Sequence, residues 1–266
     1  MTSIGIKRFG TIFSICCLMF TAACSSQSDT ETVSSPETTA EDTTVTSETT
    51  TAATVPRTYD KSCALTFDDG PNTITTPQVL DLLEKYDIPA SFFLIGNNIN
   101  DSSAEVVKRA FDMGCEINSH SKTHSFMNQM EAEDIIAEMD FTSDKIEEIT
   151  GKRPAFFRPP YIAVNDTMFE NIDLPFIAGI GANDWDDKVS AEQRAKKIID
   201  TASDGCIILL HDASGNSKTV EALDTIIPTL LDEGYEFLTV TDLFAKNGVE
   251  PQDRMVYSNV NQTTMY

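Results

Sequence analysis

The chain has 266 residues, and its 42 acidic against 19 basic side chains give a formal net charge of -23. Such a surface repels phosphate, which excludes nucleic acid as a partner class and disfavours direct binding to an anionic membrane. Hydrophobic residues make up 41% of the chain, enough for one domain-sized core, and a neutral polymer suits the acidic field better than a strongly anionic one.

In chain order, Met1–Cys24 reads as an export leader, with Lys7 and Arg8 as its basic start and Thr11–Phe20 as an apolar core too short to cross a bilayer. Its end, Thr21-Ala22-Ala23-Cys24, resembles a bacterial lipobox, although Thr21 stands where Leu is usual. Cys24 is therefore the expected lipidation site and the protein an outward-facing membrane-anchored lipoprotein, with plain secretion after cleavage near Ala23 as the alternative. The lipid would be the only contact with the membrane. Ser25–Thr58 is rich in Thr, Ser and Glu and nearly free of large apolar residues, so it is expected to be a disordered tether.

Tyr59–Val249 is expected to be the globular domain, followed by a polar tail over 250–266. Apolar runs predict strands at Cys63–Phe67, Ser91–Ile95, Cys115–Ile117, Ala155–Phe157, Phe176–Ala178, Cys206–Leu210 and Glu236–Val240. Between them, helical spacing predicts Pro77–Tyr86, Ala104–Met113, Ala132–Ile149, Asp166–Asn171, Ala191–Ala202 and Lys218–Glu233. Repeated strand-helix alternation means an α/β fold with a parallel sheet, either a barrel or a doubly wound sheet, and both place function at the carboxyl ends of strands. Cys63, Cys115 and Cys206 each open a predicted strand and are expected to be small core residues, and no Cys-x-x-Cys pair exists to hold a thiolate zinc site.

Asp68 and Asp69 end the first strand before a Gly-Pro turn. Adjacent carboxylates repel, so a pair at a strand mouth is either a solvated turn or the start of a cation site. Two of the three histidines, His120 and His124, follow the third strand at a spacing that lets both reach one ion. Two imidazoles and a carboxylate would leave open coordination positions, the mark of a catalytic site rather than a structural one. Arg158 follows the fourth strand and two prolines fix the backbone behind it, while Asp184 and Trp185 follow the fifth and His211 the sixth. Taken singly, Trp185 could be a core residue and His211 a satisfied strand-end histidine. The polar residues nevertheless gather at one rim.

Taken in order, TFDDGP at 66–71, HSKTH at 120–124, RPPY at 158–161, NDW at 183–185 and ILLHD at 208–212 resemble the motifs of the polysaccharide deacetylase family, the NodB-homology domains of carbohydrate esterase family 4. The resemblance implies a deformed (β/α) barrel of about seven parallel strands with outer helices, and a divalent metal, usually zinc, with cobalt or nickel able to serve in relatives. It makes Asp69, His120 and His124 the metal ligands, Asp68 the general base and Arg158 its holder. It sets the backbone amide of Tyr161 toward the oxyanion, His211 as general acid oriented by Asp184, and Trp185 and Leu209 around the acetyl group with Tyr161. Ile162 departs from the family, which often has Gly there, and that bears on the shape of the loop. The implied activity is removal of O-acetyl groups from xylan or N-acetyl groups from peptidoglycan or chitin-like chains. The strings around 118–128 and 156–169 resemble acetylxylan esterase modules of anaerobic bacteria most closely. A non-catalytic carbohydrate-binding relative is the alternative, although such relatives typically lose a ligand or the base.

Overall fold

The first apolar run forms β1 (Lys61–Asp68), buried from Ser62 onward, and the rest of the sheet assembles around it. A computed structural model describes residues 58–262; the expected leader, Cys24 and nearly all of the expected tether lie outside the described residues. Strands and helices alternate as the periodicity predicts: α1 (Thr75–Tyr86), β2 (Ser91–Leu94), α2 (Asp101–Asp112), β3 (Glu116–Ser119), α3 (Ala132–Thr150) and α4 (Asp166–Asn171) follow in turn. After them come β4 (Phe176–Ile177), β5 (Ile180–Gly181), α5 (Ala191–Thr201), β6 (Cys206–His211), α6 (Ser217–Asp232), β7 (Tyr235–Leu238), α7 (Val240–Asn247) and β8 (Val256–Tyr257).

The sheet runs β3-β2-β1-β6-β5, with β7 also paired to the first half of β1, and all of these pairs are parallel. Phe157 bridges Ser119 in β3 on one side and Phe176 in β4 on the other. The segment 176–181 thus pairs with Phe157 at its start and with β6 at its end, which closes the strands into the expected deformed barrel. The expected strand Ala155–Phe157 shrinks to that one bridging residue, because Pro159 and Pro160 lack the N–H groups to extend a ladder.

Alternation along β1 divides the core. Cys63, Leu65 and Phe67 pack outward under α1 and α6 with Leu80, Leu83, Leu223 and Ile227, whereas Ala64 faces Phe93, Ile177, Ile207 and Tyr257. Cys63, Cys115 and Cys206 are all buried and free. The last expected strand stops at Leu238 because Thr239 accepts a bond from the Asp242 N–H and starts α7.

The residues after Val249 correct the sequence reading. They do not trail as a polar tail; β8 pairs with β4, and Met255, Val256, Tyr257 and Val260 are buried. Two-residue β4 leaves a sheet edge that needs a partner, and Ala178 and Ile207 donate to the carbonyls of Tyr257 and Ser258. The polar average of the stretch hid four apolar residues that fit this edge.

Candidate active site

Asp68 and Asp69 stand where β1 ends, and the backbone turns them apart. Asp69 has a φ of 75°, in the left-handed region, and Asn98 Nδ2 pins its carbonyl at 2.8 Å. Asp68 turns inward, where Arg158 Nη1 donates to its Oδ1 at 2.6 Å and both side chains are buried. Arg158 Nη2 donates to the Ala178 carbonyl at 2.6 Å, and the guanidinium lies 4.1 Å from the centre of the Phe93 ring. Burial alone would raise the Asp68 pKa, but Arg158, His120 and His211 outweigh it and hold this carboxyl below the usual range.

Asp69 faces the histidines instead. Its Oδ1 lies 3.7 Å from His120 Nε2 and 3.4 Å from His124 Nε2. His120 Nδ1–H donates to the Arg158 carbonyl at 2.6 Å, which leaves the Nε2 lone pair directed at Asp69, and burial lowers the His120 pKa in favour of that neutral form. The ligand atoms of Asp69, His120 and His124 all lie within 4.8 Å of one another, and buried Asp69 Oδ1 has no hydrogen-bond partner among the described residues. A buried carboxylate oxygen facing imidazole lone pairs is unfavourable without a cation between them. Its donors suit a divalent transition metal with open positions.

The loop carrying the histidines is held at its middle. Glu138, projecting from α3 and 8% exposed, accepts from the backbone N–H groups of Lys122 at 2.9 Å and Thr123 at 2.8 Å, and from Thr123 Oγ1 at 3.0 Å. Ser121 Oγ accepts from the His124 N–H at 3.0 Å. Among the described residues, six of the eight non-glycine residues with positive φ lie in this region: Asp69, Ser121, His124, Tyr161, Ile162 and Asn183. Each such residue costs about 1–3 kcal/mol, a concentration typical of functional sites.

Across the cleft, His211 ends β6 directly beside Asp68, its register partner on β1. His211 Nδ1 lies 2.8 Å from Asp184 Oδ1, and the His211 backbone N–H donates to Asp184 Oδ2 at 2.7 Å. Thr219 Oγ1 donates to the same Oδ2 at 2.8 Å. Burial works against a charged imidazole, but the Asp184 bond and the charges of Asp68, Asp184 and Asp69 raise His211 to about 9. The Asp184 bond thus favours the protonated imidazole, with Nδ1–H directed at Asp184.

Between these groups lies a cleft of about 490 Å³, also lined by Tyr161, Ile162, Trp185 and Leu209. Every residue expected in the cleft from the sequence is therefore brought to it, Arg158 from just behind, while the expected lipidation site Cys24 lies outside the described residues. Trp185 is 70% exposed, so it belongs to the rim and not to the core. The Tyr161 ring meets His124 edge-on at 4.7 Å and stacks on Phe126 at 4.0 Å. Ile162 has a φ of 54°, the conformation for which glycine is the usual choice. The backbone N–H groups of Ile162 and Ala163 bond Pro159 and Pro160, whereas that of Tyr161 finds no acceptor among the described residues.

Sequence reasoning missed Glu138, Arg194 and Asp212. The first two left a signal: each is a charge inside an apolar helical face, Glu138 beside Ile135, Met139 and Thr142, Arg194 beside Ala191, Ala195 and Ile198. Asp212 turns its buried carboxyl away from the cleft, accepting from Thr76 Oγ1 at 2.5 Å. A Cβ at Gly70 would stand 2.6 Å from its Oδ2, so only glycine admits it there.

The sequence profile of the family described as Polysaccharide deacetylase matches residues 56–174. A bifunctional xylanase/deacetylase of Pseudobutyrivibrio xylanivorans is 52% identical over 201 residues, 75% of this chain and 33% of that protein. The peptidoglycan-N-acetylglucosamine deacetylase PgdA of Listeria monocytogenes is 35% identical over 188 residues, 70% of this chain and 40% of that one. The chain thus spans between a third and two fifths of the length of these curated relatives. Among solved structures, a family 4 acetyl xylan esterase from Clostridium thermocellum in complex with a cobalt ion is 43% identical, with a TM-score of 0.74, covering 76% of this chain and all of that one (100%). The Xyl-CE4 domain of a multidomain xylanase from the hindgut metagenome of Trinervitermes trinervoides is 50% identical, also at a TM-score of 0.74, over 76% of this chain and 98% of that one.

Proposed function

The chain belongs to the polysaccharide deacetylase family, and on that premise we propose that it hydrolyses acetyl groups on a polysaccharide, with acetylated xylan as the foremost substrate class. The observation that carries this reading is the cluster of Asp69, His120 and His124, with its unpartnered carboxylate oxygen, facing the Asp184–His211 pair across one cleft. A divalent ion, zinc or cobalt in kind, held by those three side chains would polarise the acetyl carbonyl and make a water acidic enough to attack near neutral pH.

The chain's own residues supply the rest. Asp68, fixed and kept ionised by Arg158, takes the proton of the attacking water. The Tyr161 N–H, left over by its loop, donates to the developing oxyanion. His211, charged and oriented by Asp184, gives its proton to the departing sugar oxygen, or to nitrogen in an amide, and acetate and the free sugar group leave. Trp185 and Leu209 bound the space for the acetyl methyl.

Identities of 52%, 50% and 43% to the xylanase-linked and acetyl xylan esterase relatives, against 35% to the peptidoglycan deacetylase, favour an ester of xylan. An N-acetyl substrate in the cell wall is the second reading, favoured by the leader and Cys24, which would hold the domain at the outer face of the membrane. The test is acetate release by the purified protein, with zinc or cobalt added or chelated, from acetylated xylan and from N-acetylglucosamine oligomers in parallel. Metal-dependent release from xylan alone supports the ester reading, and release from the oligomers alone replaces it with the amide. No release from either leaves a carbohydrate-binding relative.

A further inference from the structure

We infer that Arg194 is the positioning residue of the Asp184–His211 pair: through Thr219 it fixes the carboxylate that orients His211, through Asn216 the main chain of both residues, and proton delivery to a poor leaving group depends on it. Arg194 is fully buried on α5, with no carboxylate within 4.0 Å of its guanidinium among the described residues. All its partners are neutral. Nε donates to the Val189 carbonyl at 3.1 Å and Nη2 to that of Asp186 at 3.2 Å, which ties both ends of the loop just after Asp184 and Trp185. Nη1 donates to Asn216 Oδ1 at 2.6 Å and Thr219 Oγ1 at 2.9 Å, at the start of α6.

Those two side chains pass the constraint on. A Thr hydroxyl has one hydrogen; with Arg194 donating to the Thr219 oxygen, that hydrogen is directed to Asp184 Oδ2 at 2.8 Å. The Asn216 amide is oriented in the same way. Its oxygen receives Arg194, so its nitrogen donates to the carbonyls of His211 at 3.0 Å and Asp184 at 3.2 Å. Arg194 thereby sets the direction of the Thr219 hydroxyl on the Asp184 carboxylate and of the Asn216 amide on the Asp184 main chain, while the His211 backbone N–H is the other donor to the same Oδ2. An aliphatic residue would fill this face between Ala191, Ala195 and Ile198 without the cost of burying a charge that lacks an anion. A buried cation here suits a positioning task, in which a polarised chain of donors keeps Asp184 aligned.

The kinetic consequence rests on the hydrolase reading, so the test pairs it with a readout that does not. Arg194→Met, Arg194→Lys and Thr219→Val are compared in the full-length protein. On acetylated xylan, Arg194→Met should lower kcat about 10–100-fold with KM and metal affinity unchanged, and Arg194→Lys should recover part of the loss. On para-nitrophenyl acetate, whose leaving group departs without a proton, the loss should stay within about twofold. The hydrogen-bonded Nδ1–H of His211, one of three histidines and so readily assigned by NMR, should be lost or broadened in Arg194→Met and kept in Arg194→Lys. Equal losses on both esters, or an unchanged Nδ1–H signal, would overturn the assignment. If the wild type releases no acetate from any glycan, the hydrolase reading falls while the NMR comparison still decides the role of Arg194. If Arg194→Met does not fold, Thr219→Val cuts the same link without removing the buried charge and should give the same ester-selective loss.

Discussion

The two halves of the cleft are built by different means. The half proposed to hold a metal, here the metal half, depends on backbone: left-handed turns at Asp69, Ser121 and His124, a main-chain carbonyl fixing His120, and one carboxylate, Glu138, holding two amides of the histidine loop. The acid half depends on side chains handed from one element to the next, from Arg194 on α5 through Thr219 and Asn216 to Asp184 and then His211. Local backbone geometry travels with a short motif, whereas a relay assembled from distant helices does not.

The largest expected effect sets one half against the other. His124→Ala removes one of the three proposed ligands and should cut turnover on both a sugar acetate and para-nitrophenyl acetate, by about 10³-fold or more. His211→Ala should cost about 10²–10⁴-fold on the sugar acetate but little on the aryl ester, which needs no acid. Steady-state rates on the two esters check this, and equal losses in both variants on both esters would break the division.

The division also explains what could be read from the chain. Strand-end placement alone predicts Asp68, Asp69, His120, His124 and His211 at one rim, because the carboxyl ends of a parallel sheet all face the same way. The barrel followed from the same alternation of strand and helix. Its closure did not, since it depends on a single bridging residue, Phe157, and on two-residue strands too short to show a period. The buried stretch at 255–260 is hidden by polar neighbours, and Arg194 by the exposed charges around it on the same helix, Glu192, Lys196, Lys197 and Asp200. A charge inside an apolar stripe was the signal available, and it identifies both Arg194 and Glu138.

Asp212 lies at the seam and offers a smaller effect. Its chain position belongs to the acid half, but its carboxyl packs on Gly70 and Thr76, behind the metal half. Burial raises it to about 7, whereas the unfolded chain would titrate near the ordinary value of about 4. Between these two values the folded protein keeps a proton that the unfolded chain has lost, so this stabilising contribution is full below about pH 4 and is lost as pH rises through about 7. The total is on the order of 4 kcal/mol. Asp212→Asn keeps a neutral acceptor for Thr76. In denaturant titrations of the metal-free protein it should match the wild type near pH 4 and exceed it at pH 8, and parallel profiles would show that Asp212 is ionised in the fold.

The smallest effect tests whether support of the metal half is as local as it looks. Glu138 touches none of the three proposed ligands; its carboxylate reaches only Lys122 and Thr123, the residues between Ser121 and His124. Both amides point at one carboxylate oxygen, and without it they would have to find water while a loop with two left-handed residues kept its shape unaided. Glu138→Ala should therefore loosen the spacing of His120 and His124 and weaken metal binding by about 10–100-fold, measured by competition with a chelating dye. Glu138→Gln retains a single acceptor and should fall between. Because nothing in this support reaches α5 or α6, the His211 Nδ1–H signal should be unchanged in both variants. If that signal moves with the metal affinity, the two halves share a support that the hydrogen bonds of Glu138 do not account for, and the separation drawn between them is wrong.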